Sequence, residues 1–419
     1  MTVEKNTATV ATRSAWRRLA ERLDETTVDR RTVLGGIAAG AGGALAVGGA
    51  GGQDGDHEHG DRRDPHAFGA KGEYGDGFDP HGFLREFNTG YEDGVEQHVH
   101  ENDDGTKTRH YEFTALDVNL EVVPGVEFPV PAWTFEGQVP GPTLRAVEGD
   151  TIRITFVNGS KHSHTIHPHL KNLNPEMDGT PQNGPGVLEP GEEFTYEWQA
   201  KPAGVHMYHC HALPLSEHFH RGMYGVIVVD PDPERVRENP REYANYHGPV
   251  TDDLRGELVE RARSRNHEYP ENDAYDETVM VMNGFDLNFD GDNEVYAVNT
   301  RAFAYGVGET DATEGEWEAG ETIRPISIEK DVPHRVYLVN ATEFDLINSF
   351  HTHSQFFDYY DHGTTLFPTH KNVDTIMQCQ AQRGIIELDY SDHEPGLYMF
   401  HAHQSEFAEQ GWMSFFEVE

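Results

Sequence analysis

Residues 208–223 read YHCHALPLSEHFHRGM, and the spacing in this stretch decides how the rest of the chain is read. On a β-strand, side chains at i and i+2 share a face and the residue between them takes the other. His209 and His211 therefore project to one side and Cys210 to the opposite side. One strand thus serves two sites.

Histidine fills 26 of 419 positions. The pattern His-x-His occurs eight times, where random placement gives about 1.6. Four pairs fall in strand-like segments: His167–His169, His209–His211, His351–His353 and His401–His403. Each offers two imidazoles to one place, and neutral imidazole suits copper, zinc, iron and nickel. A Cys thiolate with two His and a weak axial Met is the blue-copper donor set. Cys210, His218 and Met223 supply three of its members. His164 stands three residues before His167, an odd offset that turns it away from the His167/His169 face and makes it the candidate for the second His. His162, His206 and His220 adjoin these motifs as incidental or supporting residues, with His220 the rival to His218.

Around this stretch the chain falls into two blocks rich in β signals. The first, 106–232, contains TIRITFVN (151–158) and EEFTYEW (192–198) between Gly/Pro turns; the second, 277–419, contains HRVYLVN (334–340), GIIELDY (384–390) and GWMSFFEV (411–418). Each runs from a strand pair through a His cluster to a Y-H-x-H-like strand, so the expectation is an all-β, duplicated β-sandwich. A charged linker, 233–276, separates them, and Asp252–Arg265, without Pro, reads as a short helix. DLNFDGDNE (286–294) starts like a Ca²⁺ loop but has Ala297 where a bidentate Glu is needed, and reads as an acidic hairpin turn.

Composition narrows function. Net charge is −41, from 32 basic and 73 acidic residues, which disfavours nucleic acid as a partner. Lys is scarce, the pattern of proteins adapted to high salt, where a Debye length of about 3 Å at molar strength screens self-repulsion. No apolar run is long enough for a stable membrane span. With only Cys210 and Cys379 there is no disulfide framework, and Cys379 reads as inert core. Residues 1–52 carry Arg30–Arg31 before a Gly/Ala stretch, similar to a twin-arginine export signal, so the expected location is extracellular or at the cell surface. Residues 53–105, rich in Asp, Gly and His, read as a solvated, disordered arm.

On these residues the chain resembles the multicopper oxidases, specifically the two-domain, laccase-like kind with blue copper in the first cupredoxin domain, relatives of the copper nitrite reductases. The resemblance covers roughly 110–419 and implies two tandem cupredoxin (Greek-key β-sandwich) domains. HTIHPH (164–169) is similar to the family's HxxHxH, implying His164 on type 1 copper and His167 and His169 on a trinuclear cluster. HCHALPLSEHFHRGM resembles the HCH…H…M motif, implying Cys210, His218 and Met223 on type 1 copper and His209 and His211 on the cluster. SFHTHSQFF and FHAHQSEF resemble the remaining pairs, implying His351, His353, His401 and His403 on the cluster and no second blue copper. About four copper ions per chain are implied, one type 1, one type 2 and two type 3.

The implied reaction is one-electron oxidation of a small reductant, phenolic, aromatic or a metal ion, with O₂ reduced to water at the cluster. Cys210, His209 and His211 form the electron path, and Glu217, Glu406 and Asp358 are candidate proton carriers. A homotrimer with clusters at subunit interfaces is implied, although pairing within one chain is open at this level. The alternatives are a copper nitrite reductase, making nitric oxide from nitrite, and a non-catalytic electron-transfer cupredoxin. The second-domain histidine pairs and His211 after Cys210 favour the oxidase.

Overall fold

In Thr151–Asn158 every second side chain is buried, Ile152, Ile154 and Phe156 among them, the period of a strand with one face on a core. The computed structural model describes residues 99–123, 126–245, 248–300, 302 and 325–419. The twin-arginine region and the arm up to residue 98 lie outside them.

Four sheets stack face to face. The first holds Val99–Glu101, Lys107–Val118, Thr151–Asn158 and Glu193–Gln199 in that order, with Ala132–Phe135 paired to Lys107–Val118; the second holds Leu144–Val147, Tyr224–Asp230, Gly204–His209 and His167–Pro168. The third runs Val295–Val298, Asp276–Phe285, His334–Asn340, Arg383–Leu388, Phe357–Asp361, His370–Val373; the fourth runs Ile326–Ile328, Met413–Val418, Gly396–His401, Ile347–Thr352, Thr375–Cys379. The duplication expected from sequence is explicit in the pairing. Lys107–Val118 lies parallel to Thr151–Asn158 as Asp276–Phe285 does to His334–Asn340, and Leu144–Val147 lies parallel to Tyr224–Asp230 as Ile326–Ile328 does to Met413–Val418.

Three cores fill the gaps between the four layers. Ile152, Phe156, Trp198 and Tyr208 pack between sheets one and two. Val205, Met207, Val226 and Val228 of sheet two meet Val279, Val281, Val339 and Ile385 of sheet three. Phe350, Phe400 and Phe416 of sheet four pack against Met280, Leu338 and Ile386 of sheet three. Gly204 allows the close approach of the two halves: its φ is +135°, and a Cβ there would sit 2.4 Å from the carbonyl oxygen of His362. Asp252–Arg265 is helical as expected, its first turn capped by Thr251, and it buries Leu258, Val259 and Ala262 in a small core with Leu366.

A buried ionic chain also spans the two halves. Arg145 grips Asp230 (2.9 Å) and reaches Glu277 (2.7 Å), which accepts from Arg335 (2.8 Å). Burial alone would raise the Asp230 carboxyl, but Arg145 and His267 overcome it and hold it at about 2. Removing one member strands a buried charge. Arg145→Met is expected to cost about 3–5 kcal/mol in urea unfolding at neutral pH. The depressed Asp230 value means its contribution is present above its ordinary value near 3.8 and is lost as pH falls toward 2. Asp230→Asn should therefore lose stability at pH 7 and show a flatter acid limb below pH 4.

Candidate metal centre

The strand Gly204–His209 is buried on both faces because sheets flank it on both sides. Tyr208 and Cys210 turn into the first core and Val205 and Met207 into the second, so His209 follows the latter. The predicted split of donors by strand phase is realised.

On the Cys210 side, Sγ lies 3.2 Å from His218 Nδ1 and 3.8 Å from His164 Nδ1, and the two Nδ1 atoms are 3.2 Å apart. Met223 is fully buried in the same core and accepts the Cys210 N–H on its carbonyl (2.9 Å). The short helix Leu215–His220 delivers His218. At about 100° per residue, His220 two positions on faces the other way. It accepts the Asp286 N–H at Nε2 (2.9 Å) among Phe128, Phe289 and Phe344. The structure thus puts His218, not His220, beside Cys210.

Burial, then the neighbouring histidines, push His164 down to about 3; burial pushes His218 to about 4 and the Cys210 thiol up to about 11. Ser160 sets the tautomer of His164. Its hydroxyl donates to Asp117 (2.9 Å), so it accepts from His164 Nε2–H (2.9 Å) and leaves Nδ1 as a bare lone pair aimed at the site. A buried thiol and two neutral imidazole lone pairs converging within this distance fit a soft or borderline cation such as copper. Sequence reading missed Ser160 and Asp117, which carry no motif of their own. Ser160→Ala should weaken copper retention at this site about 10- to 100-fold by competition with a chelator, because the tautomer is no longer fixed.

On the opposite face, His169 Nε2 lies 3.1 Å from His209 Nε2, and the His167 ring centre is 5.3 to 5.4 Å from those of His169, His209 and His211. His209 Nδ1 donates to the Cys210 carbonyl (2.8 Å) and His167 Nδ1 to the Asp178 carbonyl (2.7 Å), which frees both Nε2 atoms. Burial and neighbouring cations hold His169 at about 2, and burial holds His209 at about 4, so both are neutral donors.

The second half repeats this atom for atom. His353 Nε2 and His401 Nε2 are 3.1 Å apart, His401 Nδ1 donates to the Ala402 carbonyl (2.6 Å), and His351 Nδ1 to that of Asp374 (2.9 Å). His403 packs against His351 and His401. The blue-site framework is duplicated too, without donors. Ala402 takes the place of Cys210, Phe407 of His218, Trp412 of Met223 and Asn348 of His164. The backbone bonds Ala402 N–H to Trp412 and Trp412 N–H to Phe407 repeat those linking Cys210, Met223 and His218, and Asn348 bonds Thr342 as His164 bonds Ser160. Apolar rings fill the second position.

Three donor groups thus converge: His164, Cys210, His218; His167, His169, His209; His351, His353, His401. Two of the candidate proton carriers are engaged by other partners. Glu217 pairs with Arg221 (2.7 Å), and Asp358 sits in the third sheet, where it accepts from Asn372 (3.3 Å), because the chain crosses sheets after His353. Glu406 opens the short helix Ser405–Glu409. Two carboxylates lie by cluster histidines, Asp178, 3.5 Å from His167, and Asp374, 4.0 Å from His351, each joined through a loop that no sequence spacing marks. Cys379 corrects its reading as core. It is exposed at the edge of the fourth sheet, on the outward phase with Thr375 and Met377, while Ile376 and Gln378 turn in. Asp286, Asp290 and Glu294 cluster, but Asp286 already accepts the N–H groups of Asn288, Asp290 and Gly291, as an acidic turn does.

Sandwich pairs carrying a buried thiol, imidazoles and a thioether define a blue-copper oxidoreductase class. Family models described as multicopper oxidase match residues 117–234 and 292–419. A crystal structure of a multicopper oxidase is 38% identical, with a TM-score of 0.63, covering 84% of this chain and 98% of that one. The chain belongs to the multicopper oxidase family, whose members are copper-dependent oxidoreductases. It is also 27% identical to the copper-containing nitrite reductase of Neisseria gonorrhoeae, over 68% of this chain and 61% of that one. L-ascorbate oxidase of Cucurbita maxima is 32% identical over 35% of this chain and 24% of its own. The chain spans about three fifths of the length of the nitrite reductases it matches, 61% of the gonococcal one.

Proposed function

We propose that the protein is a laccase-like oxidase that takes single electrons from a small reductant and reduces O₂ to water. The observation that carries this reading is the second histidine group, His351, His353, His401 and His403, arranged as His167, His169, His209 and His211 are. An electron carrier needs only the Cys210 site, and a nitrite reductase has no use for His211 beside that cysteine.

Copper held by these donors supplies the one-electron chemistry and, as a cluster, the capacity to take O₂ through four electrons. The chain's own part is to orient and connect. Cys210 is bonded through its backbone to both His209 and His211, a covalent path from one face of the strand to the other. The carbonyls of Asp178, Cys210, Asp374 and Ala402 fix the imidazole tautomers. Asp178 and Asp374, on the Nδ1 side of His167 and His351, are the carboxylates this reading adds as proton carriers.

The two histidine groups belong to one cluster only if a second copy intervenes. His209 points from sheet two toward sheet three, while His351 and His401 alternate with the inward Phe350 and Phe400 and face out from sheet four. Two sheets at about 10 Å spacing separate them, on the order of 20 Å. Around the outward group, Leu346, Ile347, Met377 and Leu397 are exposed, as is Leu213 near the inward group. Exposed apolar side chains around histidine groups suit a head-to-tail ring of copies, a homotrimer. Export after folding by the twin-arginine route is part of the same reading.

The test is copper content, visible and EPR spectra, and O₂ uptake with a phenolic dye. About four coppers per chain with O₂ consumption is expected. About one copper, nitrite turnover and no O₂ uptake would replace this reading with the nitrite reductase.

A further inference from the structure

None of the Cys210-site donors has an edge in solvent: His164 and Cys210 are fully buried and His218 is 3% exposed. A single indole covers both imidazoles. Trp133, from Ala132–Phe135, has its ring 4.5 Å from that of His218 and 5.5 Å from that of His164, and is itself 3% exposed. The Arg221 guanidinium lies 4.3 Å from the indole centre and the exposed His162 ring 4.4 Å from it. Backbone and side-chain bonds lock the assembly. Trp133 N–H donates to the Arg221 carbonyl (3.1 Å), and Arg221 reaches the Pro131 carbonyl (3.4 Å) and Glu217 (2.7 Å). A molecule approaching from solvent meets His162, Arg221 and the Trp133 rim before any donor.

We propose that this His162–Trp133–Arg221 cap is where the reductant docks and through which its electron passes, and that it selects neutral or anionic aromatic donors over divalent metal ions. The inference rests on the oxidase reading and names its substrate class. Stacked rings and a guanidinium form a surface for another π system. A divalent cation wants several converging oxygens. Here the carboxylates at hand do not converge and each already accepts a hydrogen bond, Glu217 from Arg221, Asp117 from the Ser160 hydroxyl and the Lys161 N–H, and Glu189 from the Ser163 hydroxyl. Lys161 adds positive charge beside His162. A phenol docked at the cap loses its O–H proton to water and one electron to copper(II) at the Cys210 site, leaving as a phenoxyl radical. O₂ is the terminal oxidant, accepting the electrons of four such donors.

Two measurements test this. In copper-free protein labelled with 5-fluorotryptophan, the fluorine resonance assigned to Trp133 by its absence from Trp133→Phe should shift saturably with 2,6-dimethoxyphenol. In copper-loaded protein under argon, bleaching of the blue band by the same phenol should slow about tenfold in Trp133→Leu and about threefold in the surface variant His162→Ala. Bleaching by Fe(II) should be little changed, and the spectrum and copper content should be retained. Absence of a saturable shift, unchanged phenol rates in both variants, or an equal loss with Fe(II) overturns the proposal. If O₂ is consumed with phenol but the shift is absent, the cap falls while the oxidase reading stands. If the shift is saturable and phenol bleaches the blue band but no donor supports O₂ uptake, the oxidase reading falls while the cap stands.

Discussion

Cys210→Ser should give a folded but colourless protein with about one copper fewer per chain and turnover reduced at least about a thousandfold. That loss corresponds to about 4 kcal/mol in the barrier. Serine is nearly isosteric in a site with no solvent exposure, so the core and the strand Gly204–His209 should survive. What is lost is the polarisable thiolate and the intense charge-transfer band it gives with copper. His164 and His218 remain as neutral donors, since both are held well below their usual value by burial. The cluster histidines on the other face are untouched, so their copper should stay. Thermal unfolding, copper analysis and visible spectra of the variant decide the point. A variant that is still blue would remove Cys210 from the site.

A second large effect comes from mixing two dead proteins. His209→Ala, crippling the first-half group, and His401→Ala, crippling the second-half group, should each lack O₂ reduction while staying blue. Co-expressed and randomly assembled, they should recover about a quarter of wild-type activity, because in a head-to-tail ring one interface in four joins an intact first half to an intact second half. The proposed ring rests on the order of the layers. His209 and His401 repeat the same local bonds, yet they look out from different layers of one chain. If the cluster formed within a chain, both variants would be broken in every copy and the mixture would stay inactive. O₂ uptake of the co-purified, differently tagged proteins is the measurement, and an inactive mixture sinks the ring.

Much of this was legible because it is local. Thr151–Asn158 is legible with the bounds it has, since alternation over eight residues is itself the strand signal, and His334–Asn340 is legible as a short run rich in β-formers. Other features were hidden because partners meet through loops. The Asp117–Ser160–His164 relay joins residues on separate segments, and Asp178 and Asp374 reach His167 and His351 through loops. Trp133 carries no motif, and only packing against His164 and His218 gives it a place, with the His162 ring 4.4 Å from its own.

By itself the sequence determined the phase of the donors: Cys210 against His209 and His211, and paired imidazoles on four strands. A period of two needs only the chain's own chirality and pleat. Tertiary structure decided which helix face meets the thiol, so His218 serves and His220 braces the Asp286 turn. It also decided that Cys379 is exposed and that the two histidine groups lie on different layers of one chain. Those outcomes depend on how four sheets stack, and sheet stacking is set by surfaces drawn from distant segments, which no single strand records.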